Sequence, residues 1–442
     1  MANNKRNTLV YTVKDRCRVC YTCVRECPVK AIKIVNGQAE VMGERCIACG
    51  NCVSVCSQGA KAFLESYSEV AEMLLSGEKV IAAVAPSFPA EFTDLSDNRM
   101  LPAMLKALGF YKVVEVSFGA DMVAIEYKKL MEKNGGKGYI TSDCPAVVAC
   151  IEKHYPSLVG SLAPIVSPMV AINRVVKQLY GNDLKTVFIG PCIAKKGEST
   201  EIDESITFTE LRALFDLFKI SEKNISPADF DPPFSGKGSA FPVSHGLLNT
   251  MGRSVDITDD TVVVTDGKDS IMQAIKEYEL GNLEGKHLEL LCCEGCIMGP
   301  GMSPDGNRFY RRKLISEYVK EKMNSLDEEQ FSRQVNSFSH IDFSQSFTVS
   351  KQEILIPDEA ELNKALASIG KFHPNDHLNC GACGYHTCRE HAIAIINGLA
   401  ENEMCLPYTI EKMHHMISDL NISNDKLAKA KKALKHSEKL AS

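Results

Sequence analysis

The chain has 442 residues, a formal net charge of −6 and 24% charged residues, which leaves room for two to four domains and one sizeable core. Its charges are mixed, with no broad basic stripe for nucleic acid, and no segment offers the roughly 18 uninterrupted apolar residues of a membrane span. The anomaly is the count of 18 cysteines.

The N-terminal stretch "MANNKRNTLVYTVKDRC" has no apolar core of signal-peptide length, so a cytoplasmic location is expected. Disulfides do not persist there, and many regularly spaced thiols mean metal. Residues 1–78 carry a twofold repeat, "CRVCYTCVREC" and "CIACGNCVSVC". The first run is Cys17, Cys20, Cys23 and Cys27, followed by Pro28; the second is Cys46, Cys49, Cys52 and Cys56, followed by Ser57 where a second proline is usual. This C-x2-C-x2-C-x3-C spacing is that of two-cluster ferredoxins, in which the fourth cysteine of each run serves the other cluster. On that rule Cys17, Cys20, Cys23 and Cys56 hold one [4Fe–4S] cube, and Cys46, Cys49, Cys52 and Cys27 hold the other. A pair of structural zinc sites is the alternative.

Residues 79–345 alternate strand-like runs, "KVIAAVAPS", "VVEVSFG", "GYITSDC", "TVFIGPC", "TVVVTDG" and "HLELLCC", with helix-like ones such as "NRMLPAMLKALGF" and "PMVAINRVVKQLYG". The alternation predicts parallel α/β layers. Three runs end in cysteine, at Cys144, Cys192 and Cys292, with Cys296 four residues on. Ligands of open parallel sheets bind beyond the carboxyl ends of strands, so these four thiols can meet around one cube. Buried small hydrophobes are the bland alternative for each cysteine taken singly.

A polar stretch leads to a module over residues 346–408, where "CGACGYHTC" supplies Cys380, Cys383 and Cys388, and Cys405 follows a helix-like run. This spacing resembles a small four-cysteine iron–sulfur module, with zinc as the alternative. His377, His386 and His391 read as surface or supporting residues. Sixteen cysteines are then ligands, leaving Cys150, which reads as core, and Cys293. Residues 409–442 read as one charged helix. Met413, Leu420, Leu427 and Leu434 recur every seven residues, with Ile410, Ile417, Asn424 and Lys431 three positions before them. This heptad pattern predicts a coiled coil with Asn424 setting register, hence a homodimer; a lone amphipathic helix packed on the body is the alternative.

"TSDCP", "GPCIAKKGE" and "CCEGCIMGPG", with "VAPS" before them, resemble the signatures of [FeFe]-hydrogenases over almost all of residues 1–310. The resemblance implies a bilobal domain of parallel-sheet α/β lobes, with the N-terminal ferredoxin-like α+β domain and the small helical Fe–S module attached. It implies a cube joined through a cysteine sulfur to a di-iron unit carrying CO, cyanide and a bridging azadithiolate. With it the chain holds four [4Fe–4S] clusters: two N-terminal, one in this H-cluster, one C-terminal. Cys144, Cys192 and Cys292 match cube ligands and Cys296 the bridging cysteine. Lys195 matches the lysine that grips an iron-bound cyanide, and Ala85, Pro86 and Ser87 match the contact segment of the other cyanide. A buried ammonium at Lys195 has no evident purpose without an anion to meet.

Asp143 stands where catalytic members of the family carry a proton-relaying cysteine. Buried beside an anionic cluster, its pKa should rise above the ordinary carboxylate value. Gly190 and Leu290 replace methionines that pack on the di-iron unit, Met169 replaces a common glutamine, and His245 replaces a usual glycine. These departures resemble the sensory groups of the family. The implied function is interconversion of H2 with protons and electrons, slow and serving H2 or redox sensing. The implied partners are ferredoxin or another redox or signalling protein, and the maturation proteins that insert the di-iron unit. With no output domain after the last cluster, a signal is expected to leave through a partner or the coiled coil. The alternative is a non-catalytic iron–sulfur protein, for electron transfer or cluster assembly, that lacks the di-iron unit.

Overall fold

The computed structural model describes residues 9–133, 136–253, 260–352 and 354–441, with side chains to residue 437. They fall into two units. The first comprises residues 1–16, 27–31 and 41–353, and the second residues 17–26, 32–40 and 354–442. Near the N-terminus, β1 (Val10–Thr12), β2 (Ile32–Val35), β3 (Gln38–Val41) and β4 (Lys61–Phe63) form two small sheets, β1 pairing antiparallel with β4, and β2 with β3.

The first unit is built on a four-stranded parallel sheet of β5 (Val80–Val84), β6 (Lys112–Glu115), β7 (Lys185–Gly190) and β8 (Glu204–Thr207), in the order β6-β5-β7-β8. Central β5, VIAAV, is buried at every residue, as expected of a parallel strand covered on both faces. A second parallel pair joins β9 (Val262–Asp266) to β10 (His287–Leu291). On one side of the larger sheet, the helices Val116–Lys133 and Pro168–Tyr180 pack together. Their closeness depends on Gly119, where a Cβ would lie 2.2 Å from the Pro168 carbonyl oxygen.

Parallel α/β layering is therefore present, with local departures from the sequence reading. "GYITSDC" is not a strand of the sheet: Ile140 alone bridges, to Leu162 and Leu288, both parallel. Pro145 ends the extended run by opening the helix Pro145–His154, a position where its missing N–H costs nothing. In "VVEVSFG" only the first half is strand, because Val116 already starts a helix. β8 has no cysteine or apolar run to announce it. It is held from the side by Glu210, whose carboxylate accepts from the Thr207 backbone N–H (2.7 Å) and the Ser66 N–H (2.5 Å) and pairs with the buried Lys196 ammonium (2.8 Å).

The second unit joins the first cysteine run to the C-terminal module. The Ile34 N–H donates to the Leu399 carbonyl (3.1 Å), and Gly37 N–H donates to the Glu401 carboxylate (3.3 Å). The helix Leu406–Ala441 follows.

Removing one member of a buried ion pair strands the other charge, at a cost of about 3–5 kcal/mol. Glu210→Ala is therefore expected to lower stability by about that amount, read from anaerobic guanidinium unfolding followed by circular dichroism.

Candidate metal centre

Beyond the carboxyl end of β5 the chain turns through Ala85, Pro86 and Ser87, and beyond β7 it turns through Pro191 and Cys192. Beyond β10 come Cys292 and Cys293, and beyond the bridging Ile140 come Asp143 and Cys144. These segments line one cavity whose wall is almost wholly apolar, and Cys144, Cys192, Cys292, Cys296, Lys195 and Asp143 all face it. Three cysteine-bearing loops and the "VAPS" segment thus line one cavity. The sheet does the positioning: parallel strands bring their carboxyl ends to one edge.

Burial pushes the thiols of Cys144 and Cys192 up, Cys192 to about 12, and raises Cys296 further, with the neighbouring cysteines adding repulsion. Metal-free, these groups are neutral thiols; they become thiolates only when a metal displaces the proton. The backbone is arranged for that charge. Cys144 stands at the N-cap position of the helix Pro145–His154, where the backbone N–H groups of Cys292, Val147 and Ala146 and the helix dipole favour an anion. Backbone N–H of Lys195 serves Cys192 in the same way.

Ser87 is fully buried and lines the cavity, yet its Oγ has no hydrogen-bond partner. An orphaned buried hydroxyl is costly unless a ligand satisfies it. Asp143 Oδ1 is unpartnered too. The donor set therefore fits a thiolate-bound iron–sulfur cube with a further group that accepts from Ser87. Burial lifts the Asp143 carboxyl to about 7, the Lys195 charge opposing and the Glu198 charge adding.

Lys195 is not an ammonium without an anion. Its Nζ lies 2.6 Å from Glu198 and donates to the Asp143 carbonyl at 3.2 Å. Burial works against its charge, but Glu198, by charge and hydrogen bond, holds its pKa above the usual value. The Lys195 charge is therefore matched within the chain, because one turn of helix brings the Glu198 carboxylate round to it.

The altered positions also find physical reasons. A Cβ on Gly190 would lie 2.5 Å from the Phe188 ring and 2.8 Å from Ala85 Cβ, so Phe188, which lines the cavity, occupies the space. Leu290 is buried, but Leu291 supplies the wall on that strand. Met169 lines the cavity. His245 has φ 67°, a left-handed backbone that favours glycine.

Sequence reasoning missed Glu289, Tyr127 and Glu198. Glu289 sits within buried β10, takes the N–H groups of Leu248, Leu247 and Gly246, and is raised to about 8 by burial with the Asp143 charge adding. Its signal was an acid inside the apolar run "HLELL". The Tyr127 hydroxyl accepts from Ser142 N–H (2.8 Å) and hydrogen-bonds Asp143.

In the ferredoxin-like region, Cys27, Cys46, Cys49 and Cys52 belong to the first unit and lie close enough to repel one another, burial raising Cys27 to about 12. The two runs share a local signature: Ala31 N–H donates to Cys27 Sγ (3.2 Å), and Ala60 N–H to Cys56 Sγ (3.3 Å). Cys17, Cys20 and Cys23 belong to the second unit and Cys56 to the first. The Cys49 and Cys292 thiols hydrogen-bond, which lowers Cys49 and raises Cys292. Cys293 lines both the apolar cavity and a polar one of about 680 Å³ beside it. Cys150 is fully buried, its sulfur 3.7 Å from Met272 Sδ. In the C-terminal module Cys383 lies near Cys405 and Cys380, and Thr387 caps the helix that begins at Cys388. His391 is buried against the Glu401 carbonyl (3.2 Å), while His386 is exposed.

A family model for the iron-only hydrogenase large subunit, C-terminal domain, matches residues 78–300, just over half of the chain. The chain belongs to the iron-only hydrogenase large-subunit family. A 4Fe-4S dicluster domain model matches residues 9–57 of this hydrogenase-family chain, and an Fe-S cluster model matches residues 376–407. Iron hydrogenase 1 of Clostridium pasteurianum is 26% identical over 375 residues, covering 67% of this chain and 65% of that protein. The match thus spans less than two thirds of that relative. Cytosolic Fe-S cluster assembly factor NAR1 of Yarrowia lipolytica is 26% identical over 177 residues, 36% of each chain. A solved variant of [FeFe]-hydrogenase HydA1 from Chlamydomonas reinhardtii superposes with a TM-score of 0.53 at 15% identity, covering 65% of this chain and all of that one; this likeness shows the fold. The chain is an iron–sulfur protein of an oxidoreductase family with mixed α/β architecture. Among the described residues no helix is long and apolar enough to cross a membrane.

Two outcomes are expected. Cys192→Ala should lose about four iron atoms per chain, whereas Cys150→Ala should leave iron and sulfide unchanged. Glu289 binds its proton more tightly folded than unfolded, so its contribution to stability falls as pH rises from the ordinary glutamate value to about 8. Glu289→Gln removes that loss and should gain on the order of 1 kcal/mol or more over wild type between pH 5 and 8.5, measured by denaturant unfolding.

Proposed function

We propose that this protein interconverts H2 with protons and electrons at a di-iron unit attached to the cube held by Cys144, Cys192, Cys292 and Cys296, slowly and in the service of H2 or redox sensing. The observation that carries the reading is the apolar cavity in which four cysteines from three loops, the Lys195 ammonium and a Ser87 hydroxyl unsatisfied among the described residues converge. When bound, the di-iron unit supplies the open iron site and the amine base for heterolytic H2 cleavage. The chain's residues do the rest. Ser87 would donate to a cyanide of that unit, and Lys195, already engaged by Glu198 and the Asp143 carbonyl, would offer its third N–H to another. Asp143 holds a proton at the cavity wall, where a carboxyl near neutrality gives and takes protons at ambient pH. Phe188 and Met169 exclude water. Contact between Cys49 and Cys292 gives electrons a sulfur-to-sulfur path from the second ferredoxin-like set.

In this reading Cys17, Cys20, Cys23 and Cys56 hold a further cube, as do Cys380, Cys383, Cys388 and Cys405, making four in all. Ferredoxin or another redox or signalling protein exchanges electrons with them in the cytoplasm, and maturation proteins insert the di-iron unit. Likeness to the NAR1 assembly factor, together with a Lys195 satisfied by Glu198, favours a second reading: cubes without the di-iron unit.

Infrared spectra of protein matured with the di-iron cofactor separate the two. CO and CN stretches that shift between argon and H2 support the first reading; their absence supports the second. In loaded protein, Asp143→Asn should lower H2-dependent dye reduction by about 10²–10⁴-fold while leaving the stretches in place. Wild-type rates in that variant would remove Asp143 from proton transfer.

A further inference from the structure

We propose that the helix Leu406–Ala441 is the self-association element of this protein and that two copies pair antiparallel, centred on residue 422. The inference is independent of what the cavity binds. The helix has 36 residues, about 54 Å at 1.5 Å per residue, and every residue from Ile410 to Ser437 is exposed in the single chain. Its apolar rows stand open: Ile410, Met413, Ile417, Leu420, Leu427 and Leu434 are each 42–60% exposed. A surface helix packed on its own body hides such a row; this one hides none of it. Among the described residues the helix is tied down at its base, by Thr409 N–H to the Cys405 carbonyl (2.9 Å), Thr409 Oγ to the Glu403 carbonyl (2.8 Å) and Lys412 to Glu403 (3.3 Å).

A second copy is the occupant that the pattern itself specifies, because the heptad seam is self-complementary. Orientation follows from charge. A parallel pair sets Lys431 against Lys431 inside the seam and lays Lys426, Lys429, Lys432 and Lys435 beside their duplicates. An antiparallel pair brings that basic half alongside Glu411 and Asp419 of the second copy. It also sets Ile410 opposite Leu434, Ile417 opposite Leu427, and Met413 opposite the Lys431 stem, whose ammonium reaches water past the seam. Asn424 then meets Leu420 next to Asn421 of the second copy, an amide partner near the two-fold axis. At the flanks large faces small: Met416 meets Ala430, and His414 meets Ala428.

Light scattering on the full-length, cluster-loaded protein should return twice the 48.6 kDa chain mass. Leu420→Asp combined with Leu427→Asp alters residues exposed in the single chain, so cluster absorbance should persist while dimerisation weakens by about 100-fold or more. A photo-crosslinking p-benzoylphenylalanine at Met413 should couple to a peptide within 427–435 of the second copy. Coupling to the 410–417 segment instead means a parallel pair and overturns the orientation. A monomeric wild type overturns the proposal, whether it stays in solution or sediments with phosphatidylserine vesicles through its basic half.

Discussion

Everything in the first unit follows from the cost of placing sulfur anions in an apolar cavity. Four thiols and one ammonium come out of water together, and their free-energy cost is met only by compensating charge and hydrogen bonds. The fold supplies part of that compensation before any metal arrives. Cys144 sits at a helix N-terminus, the Lys195 backbone serves Cys192, and Glu198 balances the Lys195 side chain. What the fold leaves unsatisfied, the Ser87 hydroxyl and one Asp143 oxygen, marks where a bound group must contribute.

The same constraint accounts for the apolar wall. Between β5 and β7 there is no room for a side chain at Gly190, because Phe188 and Ala85 already fill the gap. Phe188 and Ala85 thereby keep that part of the cavity wall apolar. Acidity is redistributed as well. Asp143, Glu289 and Tyr127 lie near one another on elements that meet behind the cavity, and burial raises all three. Asp143 and Glu289, held at about 7 and about 8, suit proton storage better than structural pairing, while burial keeps the Tyr127 phenol protonated beside them.

In the second unit the emphasis is different. The first cysteine run and the C-terminal module share backbone hydrogen bonds, and Arg25 donates to the Ala382 carbonyl (3.4 Å). Residues distant in sequence thus belong to one packed body, and the long helix leaves it directly after Cys405, a candidate cluster ligand.

Sequence alone determined the cysteine sets, the parallel α/β character and the heptad rows, because ligand spacing and hydrophobic period are local properties. The strands β5, β7, β9 and β10 were legible as mainly apolar, β-branched-rich runs bounded by glycine, proline or cysteine. Tertiary structure decided the rest. Edge strand β8 is held by Glu210 and Lys196 rather than by its own pattern, and the segment before Cys144 is kept extended by a single bridging residue rather than by a ladder. The partner of Lys195 and the raised pKa of Glu289 were also beyond reach, since both depend on which groups share a low-dielectric volume. Spacing along a chain does not encode that volume; only the packed fold creates it.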